Sequence, residues 1–391
     1  MFVETLIKVL EFIVSALQIK NAILRLLVEA CMAMIPSQKT IIQYVEEPTY
    51  YYKEEPEESD FKMLETEVLP KPNLDKVPEE YDPYQCTLAP KFREIASADL
   101  REDDTIRAQA LTQMREWIAK HPHIKKCRTD AVFLLRFLRT KKFSIPAACE
   151  ILERYMTVRQ IYPHWFQKLD IEDPDIEGII TSGYLVPLLE RDDHGRQVIL
   201  SCAGKFDTSR YTSAQMARAH SLVCEVLLDD EENQVAGYTH INDESGLTMS
   251  ILSLWSLVDL KNMLKCIQNS TPMRHRETHF INLPPFAMKF IDFGMSIISE
   301  KLKNRVVLHK SLDELKAKVN PKILPKEYGG TVPMAEMIEQ FKAKCRRNRL
   351  KILALDDMHI EITKNSPYWQ EVEDNEIDSG MCGSFRKLQV D

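Results

Sequence analysis

Glycine constrains this chain more than any other residue. It supplies 11 of 391 positions, a share well under the roughly 7% of an average protein. The first is Gly178, and no G-x-G-x-x-G can be written anywhere. Backbones that wrap phosphates need glycine for close approach. This weighs against Rossmann dinucleotide enzymes and glycine-loop kinases. The distribution also divides the chain, with helical patterning before Gly178 and β-like runs after it.

Other classes fall away on composition and spacing. Apolar residues make up 44% and charged residues 28%, an ordinary globular balance. A net charge of −8 argues against a nucleic-acid binder. The nine cysteines lie far apart, with no C-x-x-C pair, which points to a reducing, cytoplasmic setting and no metal cluster. There is no G-x-S-x-G elbow and no H-E-x-x-H. Gly204-Lys205 lacks the upstream glycine of a phosphate loop, since Ile199 stands there. His220, His240 and His279 fall on helices and strands as structural residues. Nothing pairs a nucleophile with a base, so a non-enzyme without cofactor or metal is expected.

Composition shifts mark the organisation. Residues 1–36 are apolar, but the uncharged run Phe12–Ile19 is too short for a bilayer span of ~20 residues. Glu4, Lys8, Glu11, Ser15, Gln18, Arg25 and Glu29 draw one polar stripe along a helix. Such a helix lies on a membrane surface or against a partner. Residues 37–90 are acidic and proline-rich, with a tyrosine triplet at 50–52, and read as a largely disordered linker. Residues 91–170 form a helical subdomain. Asp99, Asp130 and Ser144 are its expected helix starts, and Pro146 sits just inside the last of these helices.

From 171 to 331 strands and helices alternate. YLVPLLE and RQVILSCAG flank the turn Arg191–Gly195 and predict a hairpin. VAGYTHIND, ETHFINL and RVVLH predict further strands, with helices over 212–232, 250–267, 284–301 and 311–319. This implies an α/β fold with a largely parallel sheet. Residues 332–391 form a C-terminal helix and tail. The segment 284–299 is apolar around most of its circumference: Phe286, Met288, Phe290, Ile291, Phe293 and Ile297 surround it, and Gly294 interrupts it. It is either core between two layers or a helix between a cavity and a membrane. Lys261 and Lys265 share a helix face, and Arg274 and Arg276 follow. These cations are either a solvated face or a receptor for a phosphorylated headgroup. The run Lys342–Lys351 reads the same two ways.

THFINLP, EKLKNRVVLH and the LP-x-EYGG of Leu324–Gly330 together resemble the CRAL-TRIO lipid-binding family, as does the leader FLLRFLRTKKF. The likeness is to its animal branch, over about residues 91–331, and the tail GSFRKLQVD resembles insect members. The resemblance implies a carrier of one hydrophobic small molecule, such as a retinoid or tocopherol. It implies a gate helix over 284–299, and phosphoinositide contacts from Arg136, Arg139, Lys261, Lys265, Arg274 and Arg276. Apolar candidates for the pocket are Leu200, Tyr238, Ile241, Leu254, Leu257, Phe280, Phe290 and Phe293. Relatives commonly carry Lys-Pro-Phe where this chain has Gly294-Met295-Ser296, so one headgroup lysine is missing. The expected partners are the ligand and a phosphoinositide-containing membrane, which the protein joins peripherally. Residues 1–90 offer a site for a protein partner, and an adaptor scaffold is the alternative reading.

Overall fold

Helices form in the glycine-free half wherever the sequence supplies a start. A computed structural model describes residues 67–363. The expected helix over 1–36, the tyrosine triplet and the tail GSFRKLQVD lie outside them. α1 (Pro90–Ile95) opens on proline and runs into a π-turn over 96–100. α2 (Asp104–Lys120) is capped by Asp103, whose carboxylate accepts from the Ile106 amide, so Asp99 is not the cap. After β1 (Ile124–Lys126), Asp130 caps α3 (Ala131–Thr140), and Ser144 precedes α4 (Ile145–Ile161). α5 (Pro163–Phe166) and α6 (Pro174–Thr181) complete this part.

The glycine-bearing half builds a five-stranded sheet. β2 (Leu185–Pro187) and β3 (Gln197–Cys202) form the expected antiparallel hairpin. α7 (Ser213–Leu228) starts on a capping box of Thr212 and Gln215, and α8 (Glu231–Ala236) follows. β4 (Tyr238–Asp243) comes next, then the flap helices α9 (Met249–Leu252) and α10 (Leu257–Asn269), then β5 (His275–Ile281). α11 (Met288–Ile297) and α12 (Glu300–Lys303) lead to β6 (Val306–Leu308) and α13 (Leu312–Lys316). α14 (Met334–Leu353) and β7 (His359–Ile360) end the described chain. Strand order is β2-β3-β4-β5-β6, parallel from β3 onward, and β1 pairs with β7 in a separate antiparallel sheet. Because β3 to β6 are adjacent in chain order, right-handed crossovers put α7, α10 and α11 on one face. Two expected helices are broken, 250–267 at Ser253–Ser256 and 284–301 at Ile298–Ser299.

Residues 67–89 correct the linker expectation. They form an extended strap rather than a loose chain. The Leu69 amide donates to the Arg347 carbonyl, and the Leu74 carbonyl accepts from the Cys127 amide. Asp82 pairs with Arg115 at 2.5 Å, Tyr84 donates to Glu231 at 2.6 Å, and Leu88 is buried. Its prolines keep the backbone extended, which suits a strap as well as a coil. In the run Lys342–Lys351, three of the six cations are paired in space. Lys342 bridges Glu177 and Glu339, Lys344 reaches Asp230, and Arg349 meets Asp170 and Glu172.

The helical part joins the sheet through α3. Its apolar residues are buried around the whole circumference, and so are Arg136 and Arg139. Arg136 bonds Glu225 at 2.7 Å and Asp229 at 2.6 Å. Arg139 bonds Glu102 at 2.8 Å and Glu231 at 2.8 Å. Burial alone would raise Asp229, but Arg128 and Arg136 hold it far below the usual carboxylate range. Removing one partner strands the other charge in a dry interior, at about 3–5 kcal/mol. Arg136→Ala is therefore expected to lower unfolding stability by about that amount in urea titration. Asp229 contributes stability that is present above its unfolded value of 3.8 and lost as pH falls below it. Acid unfolding of the variant should start from a lower plateau and show a shallower loss there.

Candidate functional site

The two faces of the sheet differ in accessibility. Leu200, Ile241 and His279 are paired in register and buried, and Val307 continues their row on β6. Asp243 lies on the same side and accepts from the Tyr328 hydroxyl at 2.5 Å, so the C-terminal segment covers this face. The alternate residues point the other way. His240 and Thr278 pair with Val306 in one row, and Ser201, Asn242 and Phe280 pair with Leu308 in the next. All of these keep accessible surface. His220 of α7 adjoins His240, which identifies this as the helix-bearing face.

An apolar flap stands on that side. Every residue of α9 and α11 keeps some accessibility, and in α10 Cys266 is the buried exception. Met249, Leu257, Val258, Ile267 and Met288 are exposed. The α9–α10 junction is tied to α7 by Trp255, whose indole N–H points at Met216 Sδ at 3.4 Å. α11 packs on α10, with Gly294 against Leu264. Ile251, Leu254 and Trp255 pack against the main core and Met263 against a smaller cluster, while much of the remaining apolar surface of these helices keeps access to solvent.

The floor is polar where the flap is not. His240 Nε2 meets His275 Nδ1 at 3.0 Å, and Tyr184 Oη meets His220 Nε2 at 3.0 Å. Burial pushes His220 and His240 down to about 4 and His275 to about 3, so all three rings are neutral at pH 7. Glu244, just past β4, is pushed up to about 7 by burial and by Asp243.

Cations gather at the opposite, N-terminal edge of the parallel strands. Arg274 and Arg276 share Asp99, at 3.4 Å and 2.5 Å. Gly237 makes the approach possible: it sits at φ +93°, and a Cβ there would meet the Arg274 carbonyl at 2.5 Å. Burial and the Arg276 charge push Arg274 down to about 10. Lys301 is lowered by burial and by Arg305, Lys142, Lys141 and Arg274, and Arg305 by burial, Arg276 and Arg196. Burial is the larger cause in each case, neighbouring cations add to it, and Asp99 offsets it in part at Arg274. A surface pocket of about 460 Å³ opens beside Asp99, Arg196 and Arg276.

Two family models match parts of the chain. Residues 181–330 match the CRAL/TRIO domain, and residues 103–176 match the Pinta-like UBA domain. Clavesin-1 of Pongo abelii is 33% identical over 254 residues, covering 65% of this chain and 72% of its own. Clavesin-2 of Homo sapiens is 32% identical, covering 65% and 78%. The chain belongs to the CRAL-TRIO family. It is a family of lipid-binding transfer proteins. No helix among the described residues is long and apolar enough to cross a membrane.

The residues expected at the CRAL-TRIO pocket and headgroup site separate in space. Leu200 and Ile241 are buried on the face away from the flap, which removes them from the accessible floor. Tyr238 lies on the helix-bearing face, but it is buried and its hydroxyl donates to the Leu227 carbonyl of α7. Phe280 is on the accessible floor. Leu254, Phe290 and Phe293 are half-buried on the flap, as are Phe286, Ile291 and Ile297, while Leu257 and Met288 are exposed. Arg136 and Arg139 do not reach the surface, contrary to expectation, because internal carboxylates take their N–H groups. Arg274 and Arg276 share one edge. Lys261 and Lys265 are exposed on the flap, two turns and one turn before the end of α10. Lys141, Lys142, Lys301 and Arg305 join the edge and were missed, since they are far apart in sequence and each sits near ordinary helix ends. Glu244 yields a test of the floor's environment. Its raised value makes it a source of stability below pH 4.5 that is lost as pH rises through about 7. Glu244→Gln should therefore unfold at higher urea than wild type at pH 8, and at the same urea near pH 4.

Proposed function

We propose that this protein carries one hydrophobic lipid between the accessible face of its sheet and the flap of α9–α11, and exchanges it at phosphoinositide-containing membranes. The observation that carries the reading is the unburied apolar flap above an accessible sheet face. Exposed apolar residues on the flap suit insertion into a bilayer surface. The edge of Arg274, Arg276, Lys301 and Arg305 suits a phosphorylated headgroup. A cargo burying ~400 Å² of apolar area gains about 10 kcal/mol relative to water. The bilayer supplies most of that already, so transfer is near balance and a headgroup contact can bias it.

Native mass spectrometry of protein from its own tissue, with extraction of what co-purifies, tests the carrier. One stoichiometric lipid supports it. An empty protein that takes up nothing from liposomes overturns it and favours the adaptor reading, which the Pinta-like UBA match over 103–176 also recommends. The headgroup edge has its own test in vesicle co-sedimentation. At about 1 kcal/mol per basic residue near an anionic surface, the double variant Arg276→Glu, Arg305→Glu should bind phosphoinositide vesicles at least tenfold more weakly. Binding to neutral phosphatidylcholine vesicles should change little. Equal binding of variant and wild type to the phosphoinositide vesicles would remove the edge from the proposal.

A further inference from the structure

We infer that Asp99 is a built-in competitor for the phosphorylated headgroup: its carboxylate occupies the guanidiniums of the cationic edge, and the edge engages a membrane only when a phosphomonoester displaces it. The inference rests on the headgroup part of the proposed function and concerns how that contact is regulated. One oxygen of Asp99, Oδ2, accepts from Arg276 Nη2 at 2.5 Å and from Arg274 Nη2 at 3.4 Å. The side chain is 44% exposed. The Arg276 hydrogen bond holds the carboxyl below its ordinary range, so the competitor is an anion at neutral pH. Its mount is firm. Asp99 lies on the π-turn Ala96–Leu100, and both ends of that turn are buried in a small cluster with Leu88, Phe92, Val235 and Ala236. Release therefore takes the rotation of one exposed side chain and leaves α1 in place.

The receptor is set without any ligand. Arg276 Nε donates to the Ala236 carbonyl at 3.0 Å, Arg274 Nη1 to the Val235 carbonyl, and Arg305 Nη1 to the His275 carbonyl. Backbone carbonyls orient these guanidiniums but carry no net charge, so they do not neutralise them. Among the described residues no carboxylate pairs with Arg305 or Lys301, and Lys141 and Lys142 stand near Lys301. Glu277 is taken by Arg196 at 2.9 Å. Glu94 lines the adjoining cavity of about 460 Å³ without an ion pair to these guanidiniums. Asp99 is thus the carboxylate that Arg274 and Arg276 share, and its charge sets a threshold for whatever replaces it. A phosphodiester headgroup carries one negative charge, as Asp99 does, and gains little by the exchange. A phosphomonoester carries roughly 1.5 to 2 negative charges and three acceptor oxygens. It can keep both guanidiniums and reach toward Arg305 or Lys301 as well. The cavity beside Asp99 gives it room.

Vesicle co-sedimentation of the full chain tests this. Phosphatidylcholine vesicles carry either a phosphatidylinositol monophosphate or phosphatidylserine, at equal surface charge. Wild type is expected to prefer the monophosphate. Asp99→Asn keeps the size and removes the charge, and it should bind the monophosphate vesicles about fivefold more tightly. It should also bind the phosphatidylserine vesicles measurably. Asp99→Ala should match it, and Asp99→Glu should stay near wild type. Glu94→Gln removes an equal charge from the same cavity, away from the guanidiniums, and should shift binding by less than about twofold. Thermal unfolding identifies any variant that fails to fold, and the remaining variants decide. If Asp99→Asn and Asp99→Ala bind no more tightly than wild type, the inference is overturned and the headgroup reading stands. An equal gain in Glu94→Gln assigns the effect to bulk charge and overturns it too. Wild type that prefers neither anionic vesicle over pure phosphatidylcholine overturns the headgroup reading and this inference together. Soluble inositol bisphosphate, titrated by calorimetry, should bind more weakly than the vesicles, because it leaves the flap out of contact. Equal affinity would assign the edge to a free phosphate compound and overturn the membrane as the occupant.

Discussion

The seam of buried guanidinium and carboxylate groups around α3 is the constraint on which the other layers depend. Arg128, Arg136, Arg139 and Arg159 face Asp229, Glu225, Glu102 and Asp356 in an interior with little access to water. Charges buried in this way add little net stability over a well-packed apolar seam, but a misaligned version is costly. The seam therefore sets orientation more than it adds strength. Glu225 and Asp229 lie at the end of α7, and α7 covers one part of the sheet. Fixing α7 against α3 also fixes how much of that face remains uncovered. Tyr155 completes the seam with a 2.7 Å bond to Glu225, and the strap adds Tyr84 to Glu231.

What α7 leaves uncovered is the proposed site. The buried face closes in the ordinary way, with Leu315, Val319, Ile323 and Leu324 packed beneath it. The other face is closed by α7 alone near β3. Over β4 to β6 it is bounded by helices whose apolar side chains are mostly half-buried. A stable domain can tolerate such a flap because its core lies elsewhere. Low local burial also makes opening cheap relative to global unfolding. The same α/β sheet thus has one well-buried face and one less buried face, divided by the pleat of its strands.

Legibility in the sequence followed the length scale of the interactions. The hairpin at Arg191–Gly195, the Asp130 cap and the strand–helix alternation depend on neighbours within a few residues, and they were readable. The breaks at Ser253–Ser256 and Ile298–Ser299 were not, because apolar periodicity continues through them. Leu200 and Ile241 looked like pocket residues because apolar character does not say which face of a sheet is covered. Arg136 and Arg139 joined the expected headgroup set through the family resemblance, and the carboxylates that bury them lie 37 to 93 residues away. The strap over 67–89 was hidden by its own composition, since proline and acid suit an extended ordered chain as well as a disordered one. The one clue to the polar floor was present from the start: THIND is polar for a strand.

Separating charge from polarity has a physical consequence for exchange. On the proposed reading, the cationic edge meets the aqueous headgroup layer, where screening over about 8 Å keeps its attraction local. The neutral floor acts only after the flap excludes water. On the proposed carrier reading, the two ends of the site act in sequence, membrane contact first and cargo enclosure second. Neither requires the other's chemistry.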